Sequence, residues 1–72
     1  MSERLRAPVT RNELPRDRLL STDEVAHLLQ VPVSTVYEWN RRRVGPQPMR
    51  IGRRLRYHPA ELVRWMKEQR VV

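Results

Sequence analysis

Two short amphipathic segments separated by a proline constrain the fold of this chain more than any other feature. The apolar residues of Thr22–Leu29 recur at i, i+3 and i+4, which predicts a short helix with one apolar face. Pro32 disfavours helical backbone at the residue before it and suits the opening of a new helix, which we expect over Val33–Arg42. Helices this short are not stable alone in water, so they must pack together. The pattern predicts a helix-turn-helix.

Local signals mark the ends of the predicted helices. Ser21 and Glu24 have the spacing of a capping box, in which each side chain accepts a hydrogen bond from the other residue's backbone N–H. Gln30 stands at the turn, where glycine is usual. A third helix is predicted from Pro59 to about residue 69 or 70, because proline suits the first helical position and apolar residues then recur at helical spacing.

Two segments of alternating polarity, Met49–Ile51 and Leu55–Tyr57, flank a three-residue turn over 52–54. Alternation around a glycine predicts a β-hairpin. An isolated hairpin is only marginally stable, so four apolar side chains are expected to face the helices: Met49, Ile51, Leu55 and Tyr57. The predicted fold is therefore mainly α with a small β-hairpin, a winged helix-turn-helix of order helix, turn, helix, hairpin, helix.

The chain divides into an arm and a domain. Residues 1–18 are polar, contain two prolines and show no helical or strand period, so we expect a flexible basic N-terminal arm. Residues 19–70 are predicted to form a single domain, the winged helix-turn-helix. Its core, by spacing, comprises Leu28, Leu29, Val36, Trp39, Leu62 and Trp65.

The chain is strongly basic, with a formal net charge of +7 at pH 7. Every cation except Lys67 is arginine, whose planar fork suits phosphate oxygens and guanine edges. Folding concentrates the arginines between Trp39 and Ala60, where no acid stands, into one field that a polyanion would neutralise. The alternative interpretation is that these arginines only form a solvated surface and bind no polyanion. These arginines are Arg41, Arg42, Arg43, Arg50, Arg53, Arg54 and Arg56.

Composition argues against catalysis and membrane insertion. The chain has no cysteine, which excludes disulfides, thiol nucleophiles and cysteine-based metal sites. His27 and His58 are isolated, and we expect the first on a helix surface and the second at the start of the third helix. No enzyme activity, metal or cofactor is expected. Without an apolar run of about 20 residues or a signal peptide, the expected location is the cytoplasm, at the nucleoid.

Three pieces of the sequence are specific in combination: the segments VPVSTVYEW and RIGRRLRY, and Trp65 near the end. With these, about residues 19–69 resemble the excisionase-like branch of the MerR-type winged-helix superfamily. The resemblance implies a recognition helix in the major groove of double-stranded DNA and a wing at the neighbouring minor groove or backbone. By position it assigns the wing to Arg53 and Arg54, and the recognition helix to Ser34, Thr35, Tyr37, Glu38 and Arg41.

The chemistry of the recognition helix leaves alternatives open. Glu38 can accept a hydrogen bond from cytosine N4, or pair with Arg41 or Arg42 at helical spacing. Arg41 can bond a guanine or reach a phosphate. Ser34 and Thr35 lie where a helix N-terminus holds phosphate, although they can also cap the helix.

The remaining candidates concern the duplex backbone and the minor groove. Tyr37 is expected to contact the backbone or a thymine methyl group rather than the core. Arg53 and Arg54, at the hairpin tip, suit a narrow minor groove, whose negative potential attracts arginine; the alternative is a solvated turn. Phosphate contacts are further expected from Arg42, Arg43, Arg50 and Arg56.

Phage excisionases of this branch bind short repeated sites cooperatively, bend DNA and direct an integrase towards excision. The sequence ends within a few residues of its third predicted helix, so we expect no effector domain, which favours the excisionase interpretation. A small transcription regulator is the alternative, and a basic protein-interaction module is the alternative of a different class. We expect a monomer that assembles cooperatively on DNA, with an integrase as its protein partner.

Overall fold

The computed structural model describes residues 14–69 of the chain. The elements in chain order are β1 (Leu20–Ser21), α1 (Thr22–Leu29), α2 (Val33–Arg42), β2 (Met49–Ile51), β3 (Arg54–Tyr57) and α3 (Pro59–Lys67). The winged helix-turn-helix is confirmed, as are the bounds of the first two helices. The third helix ends at Lys67, earlier than its predicted end near Gln69 or Arg70.

The helix-turn-helix is defined by local hydrogen bonds at both ends of α1. Ser21 Oγ accepts from the Glu24 backbone N–H at 3.1 Å, and Glu24 Oε1 accepts from the Ser21 N–H at 2.9 Å, so the capping box is confirmed. At the other end, Gln30 takes a left-handed backbone with φ of 59°. The Val31 N–H donates to the Ala26 carbonyl at 3.0 Å, the long hydrogen bond of a Schellman motif. Gln30 thus makes the turn that glycine usually makes.

The wing is the hairpin of β2, β3 and the turn between them, and it belongs to a three-stranded antiparallel sheet of order β1-β3-β2. The short strand β1 pairs Leu20 with Tyr57 of β3, a pairing that the sequence did not predict. A two-residue turn, with φ of 63° at Gly52, joins β2 to β3 and pairs Ile51 with Arg54. Positive φ at the first central residue alone is the pattern of a type II′ turn, which matches the twist of paired strands.

The prediction was wrong about which hairpin residues face the helices. Tyr57 is buried and Leu55 is half-buried, but Met49 is 40% exposed and Ile51 is 51% exposed. The predicted turn of three residues would have paired Ile51 with Leu55. The observed turn pairs it with Arg54, and a register shift of one residue moves the side chains of a strand to the opposite face.

The core lies between the inner face of the sheet and the three helices. Its buried residues are Leu14, Leu20, Val25, Ala26, Val36, Tyr57 and Leu62. Of the predicted core, Val36 and Leu62 are buried, whereas Leu28, Leu29, Trp39 and Trp65 are partly buried and pack against the cluster. The two indole rings join α2 to α3, with centroids 5.4 Å apart and planes tilted by 46°.

Packing begins before the predicted domain boundary at residue 19. Leu14, which the prediction placed in the flexible arm, is only 3% exposed and lies in the core. Arg18 donates to both carboxylate oxygens of Glu24, at 2.9 and 2.5 Å. Leu14 therefore packs in the core and Arg18 is bonded to α1, although both precede the predicted boundary. An isolated leucine in a polar stretch has no period that would reveal its burial. The predicted flexibility of residues 1–13 lies outside the described residues.

The bonds around Glu24 also stabilise its charge. The hydrogen bond from Arg18, followed by the one from the Ser21 backbone, lowers the pKa of Glu24 to about 2. The start of α1 is therefore fixed by an ionised carboxylate that two groups hold in place.

The third helix begins as the sequence predicted. His58 is its N-cap residue, and its Nδ1 accepts a hydrogen bond from the Ala60 N–H at 3.1 Å. Arg64 pairs with Glu61 and with Glu68, so the outer face of α3 neutralises its own charge. His27 is exposed on α1, as expected.

Candidate nucleic-acid interface

The outer face of α2 carries the predicted recognition residues. Val36 is buried and Trp39 packs on the core, so the helix presents its opposite side to solvent. Ser34, Tyr37 and Arg41 lie on that side, at positions i, i+3 and i+7, and all three are exposed. The predicted orientation of the helix is confirmed, while contact of these residues with DNA stays a prediction.

The N-terminus of α2 is open. Its N-cap residue, Pro32, makes no side-chain capping bond, and the first turn contains no acidic residue. Ser34 is exposed, whereas Thr35 is half-buried, with its N–H donating to the Pro32 carbonyl at 3.0 Å. The positive end of the helix dipole is therefore not opposed by a carboxylate of that turn, a condition that suits a phosphate.

Glu38 and Arg41 form the ion pair that was the alternative interpretation of Glu38. Arg41 Nη2 lies 2.5 Å from Glu38 Oε2, and Arg41 Nε donates to Oε1 at 3.2 Å. The two side chains are 44% and 72% exposed, respectively. An ion pair this exposed contributes only about 0.2–1 kcal/mol, so DNA could separate it at little cost. Base recognition by either residue stays a prediction.

A concavity of about 390 Å³ separates α2 from the wing. Tyr37 lines it from α2, and the first residues of α1 close one side. The wing supplies four arginines and a leucine. We call this feature the concavity; its lining residues are Ser21, Thr22, Asp23, Tyr37, Arg50, Arg53, Arg54, Leu55 and Arg56. The structure thus brings α2, the predicted recognition helix, and the wing to one surface.

The concavity is a strongly cationic environment. Asp23 is the single acid among its lining residues. Arg50, Arg53 and Arg54 make no ion pair with any residue in the range 14–69. Arg56 is half-buried and donates to the Leu55 carbonyl at 2.8 Å. The guanidinium groups of Arg50, Arg53 and Arg54 have no partner within the described residues and are available to phosphate oxygens.

Two further arginines stand at the C-terminal end of α2, where Arg42 is the last helical residue and Arg43 the C-cap, and both are exposed. Arg43 has a left-handed backbone with φ of 62°, and the next N–H, of Val44, donates to the Trp39 carbonyl at 2.9 Å. A residue with a Cβ is strained in this region of backbone space. Strain of this kind is found at functional positions, although it does not by itself define one.

Gly45 determines where the chain leaves α2 for the wing. It has φ of 76°, and a Cβ at this position would lie 3.0 Å from Trp39 Cε3. The next residue, Pro46, is fully buried. The loop therefore packs its backbone directly on the Trp39 side chain, which fixes the start of β2 relative to α2.

Sequence reasoning missed the contribution of α1 to this surface. The capping box correctly located Ser21, but only the pairing of Ser21 with Arg56 brings the helix start beside the wing. Thr22 is buried there, and its side chain lies near the phenol of Tyr57. Burial raises the pKa of Tyr57, whose hydroxyl has no hydrogen-bond partner of acceptable geometry within the described residues.

Residues 14–69 show neither a metal-binding cluster nor a membrane-spanning helix. No group of three or more His, Cys, Asp and Glu side chains in this range could hold a metal ion. No helix in it has the length and apolar character needed to cross a bilayer.

Comparison with known proteins identifies a family. Searches among curated proteins and among solved structures gave no match. Residues 19–70 match the family described as "Helix-turn-helix domain", a DNA-binding family that includes excisionase-like proteins. The match covers well over half of the chain. The chain therefore belongs to this helix-turn-helix family.

Proposed function

We propose that this protein binds specific DNA sequences and bends them as a phage-type excisionase, directing an integrase towards excisive recombination without catalytic chemistry of its own. The observation that carries the proposal is the concavity. Tyr37 of α2 faces Arg50, Arg53 and Arg54 of the wing across it, and those arginines have no partner among the described residues. Such a site belongs in the cytoplasm, where DNA is accessible.

The dimensions of the elements support binding to a duplex. The major groove admits one α-helix, whose outward side chains read base edges, and α2 presents Ser34, Tyr37 and Arg41 for this purpose. With α2 in the major groove, the wing reaches the backbone or the neighbouring minor groove. Arginine is the residue that a narrow minor groove attracts, which suits Arg53 and Arg54.

Bending follows from contacts on both sides of a phosphate backbone. Smooth bending of a short site costs about 1–6 kcal/mol, which additional backbone contacts offset. The wing and the end of α2 provide exposed arginines for such contacts: Arg42, Arg43, Arg50, Arg53 and Arg54.

The test of DNA binding is competition. The protein is used to select duplexes from random DNA, and the affinity for the selected site is measured by fluorescence anisotropy against unrelated competitor. A specific site is expected to be bound at least about 10³-fold more tightly than competitor. Equal affinity for both, or capture of an acidic protein with no DNA retention, would instead assign the basic surface to protein docking.

The excisionase role needs its own assay. With the selected site placed in attachment DNA and the matching integrase present, the protein is expected to raise excision and lower integration. A transcription regulator, the alternative within the same class, would bind the site yet leave the direction of recombination unchanged. Cooperative footprints on adjacent sites are expected for the excisionase.

A further inference from the structure

The outer face of the wing carries apolar side chains where solvent-facing polar ones would be expected. Ile51 is 51% exposed and Met49 is 40% exposed, although both lie in a paired strand. The opposite face already carries Leu20 and Tyr57 into the core. Neither exposed side chain is therefore required for packing of the domain.

The position of Ile51 is the informative one. It is the last residue before the turn, and it pairs directly with Arg54, so the two side chains project on the same face. The exposed Arg53 stands in the turn between them. The wing thus ends in one apolar side chain flanked by two cations. The next pair on that face, Met49 and Arg56, repeats the combination.

This combination matches one kind of partner. The arginines are attracted to a groove lined by phosphates, and the apolar side chain of Ile51 is stabilised where water is excluded. The minor groove of DNA offers both, because proteins that bind it insert isoleucine, methionine or similar side chains between base steps while arginines contact its walls and floor. An apolar partner protein would not need the cations, and a phosphate site would not need the isoleucine.

We propose that Ile51 is an apolar wedge that partly unstacks one base step when Arg53 and Arg54 enter the minor groove. The inference rests on the proposed function and names the residue that produces the bend. Met49 lies two residue pairs further from the tip, on the same face, and makes a flanking contact with the sugar edge. Unstacking on this side kinks the duplex towards the major groove, and therefore towards α2.

The test uses the full chain and a duplex of about 30 base pairs bearing the site that the wild type selects from random DNA. 2-Aminopurine, whose fluorescence rises when it is unstacked, is placed at successive positions, and the bend is measured by energy transfer between end labels. Ile51→Thr keeps a β-branched side chain on an exposed strand, so the fold is retained, which circular dichroism checks. Leu19→Thr is the matched control, since Leu19 is 36% exposed and is not among the residues lining the concavity.

We expect wild type and Leu19→Thr to raise the fluorescence several-fold at one step, and Ile51→Thr to lose this rise and most of the bend while still binding. An unchanged signal in Ile51→Thr overturns the inference but leaves DNA binding intact. So does a loss confined to cooperativity between adjacent sites, which would assign Ile51 to contact between protein copies. A wild type that selects no site refutes the proposed function itself.

Discussion

The contact between Gly45 and Trp39 gives the sharpest test of how the wing is positioned. A Cβ at Gly45 would lie 3.0 Å from Trp39 Cε3 and 3.2 Å from both Cβ and Cδ2 of the same side chain. Gly45→Ala therefore combines strain from a positive φ with overpacking of a half-buried ring. Gly52→Ala is the matched control, because Gly52 also has a positive φ but a Cβ there meets nothing within 4 Å.

The comparison isolates the steric part of the effect. Left-handed backbone costs a residue with a Cβ about 1–2 kcal/mol, and the smaller entropy of unfolded alanine returns about 0.4–1 kcal/mol. Both variants place an alanine at a positive φ, and Gly52→Ala, whose Cβ meets no neighbour, should lose about 1 kcal/mol from the backbone alone. Overpacking adds about 1–3 kcal/mol at Gly45. The expected difference between the variants is therefore about 1–3 kcal/mol.

Urea unfolding followed by tryptophan fluorescence measures this difference, since Trp39 and Trp65 are the only tryptophans of the chain and both pack on the core. For a domain of this size each kcal/mol corresponds to a shift of about 4–8 °C in Tm, which gives a second readout. Equal losses of unfolding free energy in the two variants would show that the Trp39 side chain moves aside without cost. The loop would then not fix the position of the wing.

Three further substitutions test separate parts of the structure. Glu24→Gln should lose about 1 kcal/mol of unfolding free energy at pH 7, after allowance for exposure. The lowered pKa of about 2 means that wild-type Glu24 stabilises the fold fully above about pH 4.5. This advantage disappears as the pH falls towards 2, so urea curves of the two proteins should converge there; a constant gap would contradict the assignment. Arg43→Gly should raise stability by about 0.5–1 kcal/mol, because it relieves left-handed strain, yet reduce the salt slope of DNA binding by about 1. A less stable variant would contradict the strain at Arg43, and an unchanged salt slope would contradict its contact with phosphate. Glu38→Ala should alter sequence preference among selected sites more than overall affinity, and equal weakening on cognate and random DNA would show that Glu38 only pairs with Arg41.

Local signals in the sequence were sufficient for the helix-turn-helix. The capping box of Ser21 and Glu24 and the break at Pro32 each act within one helical turn, so their meaning does not depend on distant residues. The bounds of α1 and α2 followed from them. The outward orientation of α2 followed from its helical period, because Val36 and Trp39 can face the core only if Tyr37 and Arg41 do not.

Features that depend on pairing between distant strands were not predictable. β1 contains two residues and exists only through its pairing with β3. The alternation in the hairpin showed that Met49 shares a face with Ile51, and Leu55 with Tyr57, but not how the faces combine across the turn. That choice depended on one residue of turn length, and it exposed the side chain on which the wedge proposal rests. Leu14 likewise has no neighbour in sequence that reveals its burial.

The central claim is that the wing and α2 form one cationic surface that neutralises DNA phosphates, and the salt dependence of binding tests it most directly. Affinity for the selected duplex is measured from about 50 to 200 mM salt for wild type, Arg53→Ala and Arg16→Ala, the last removing an exposed cation that does not line the concavity. For about five neutralised phosphates, log K should fall against log salt with a slope of about −4 to −5 in wild type and Arg16→Ala, and be shallower by about 1 in Arg53→Ala. A flat response, or equal slopes for all three proteins, would contradict the claim.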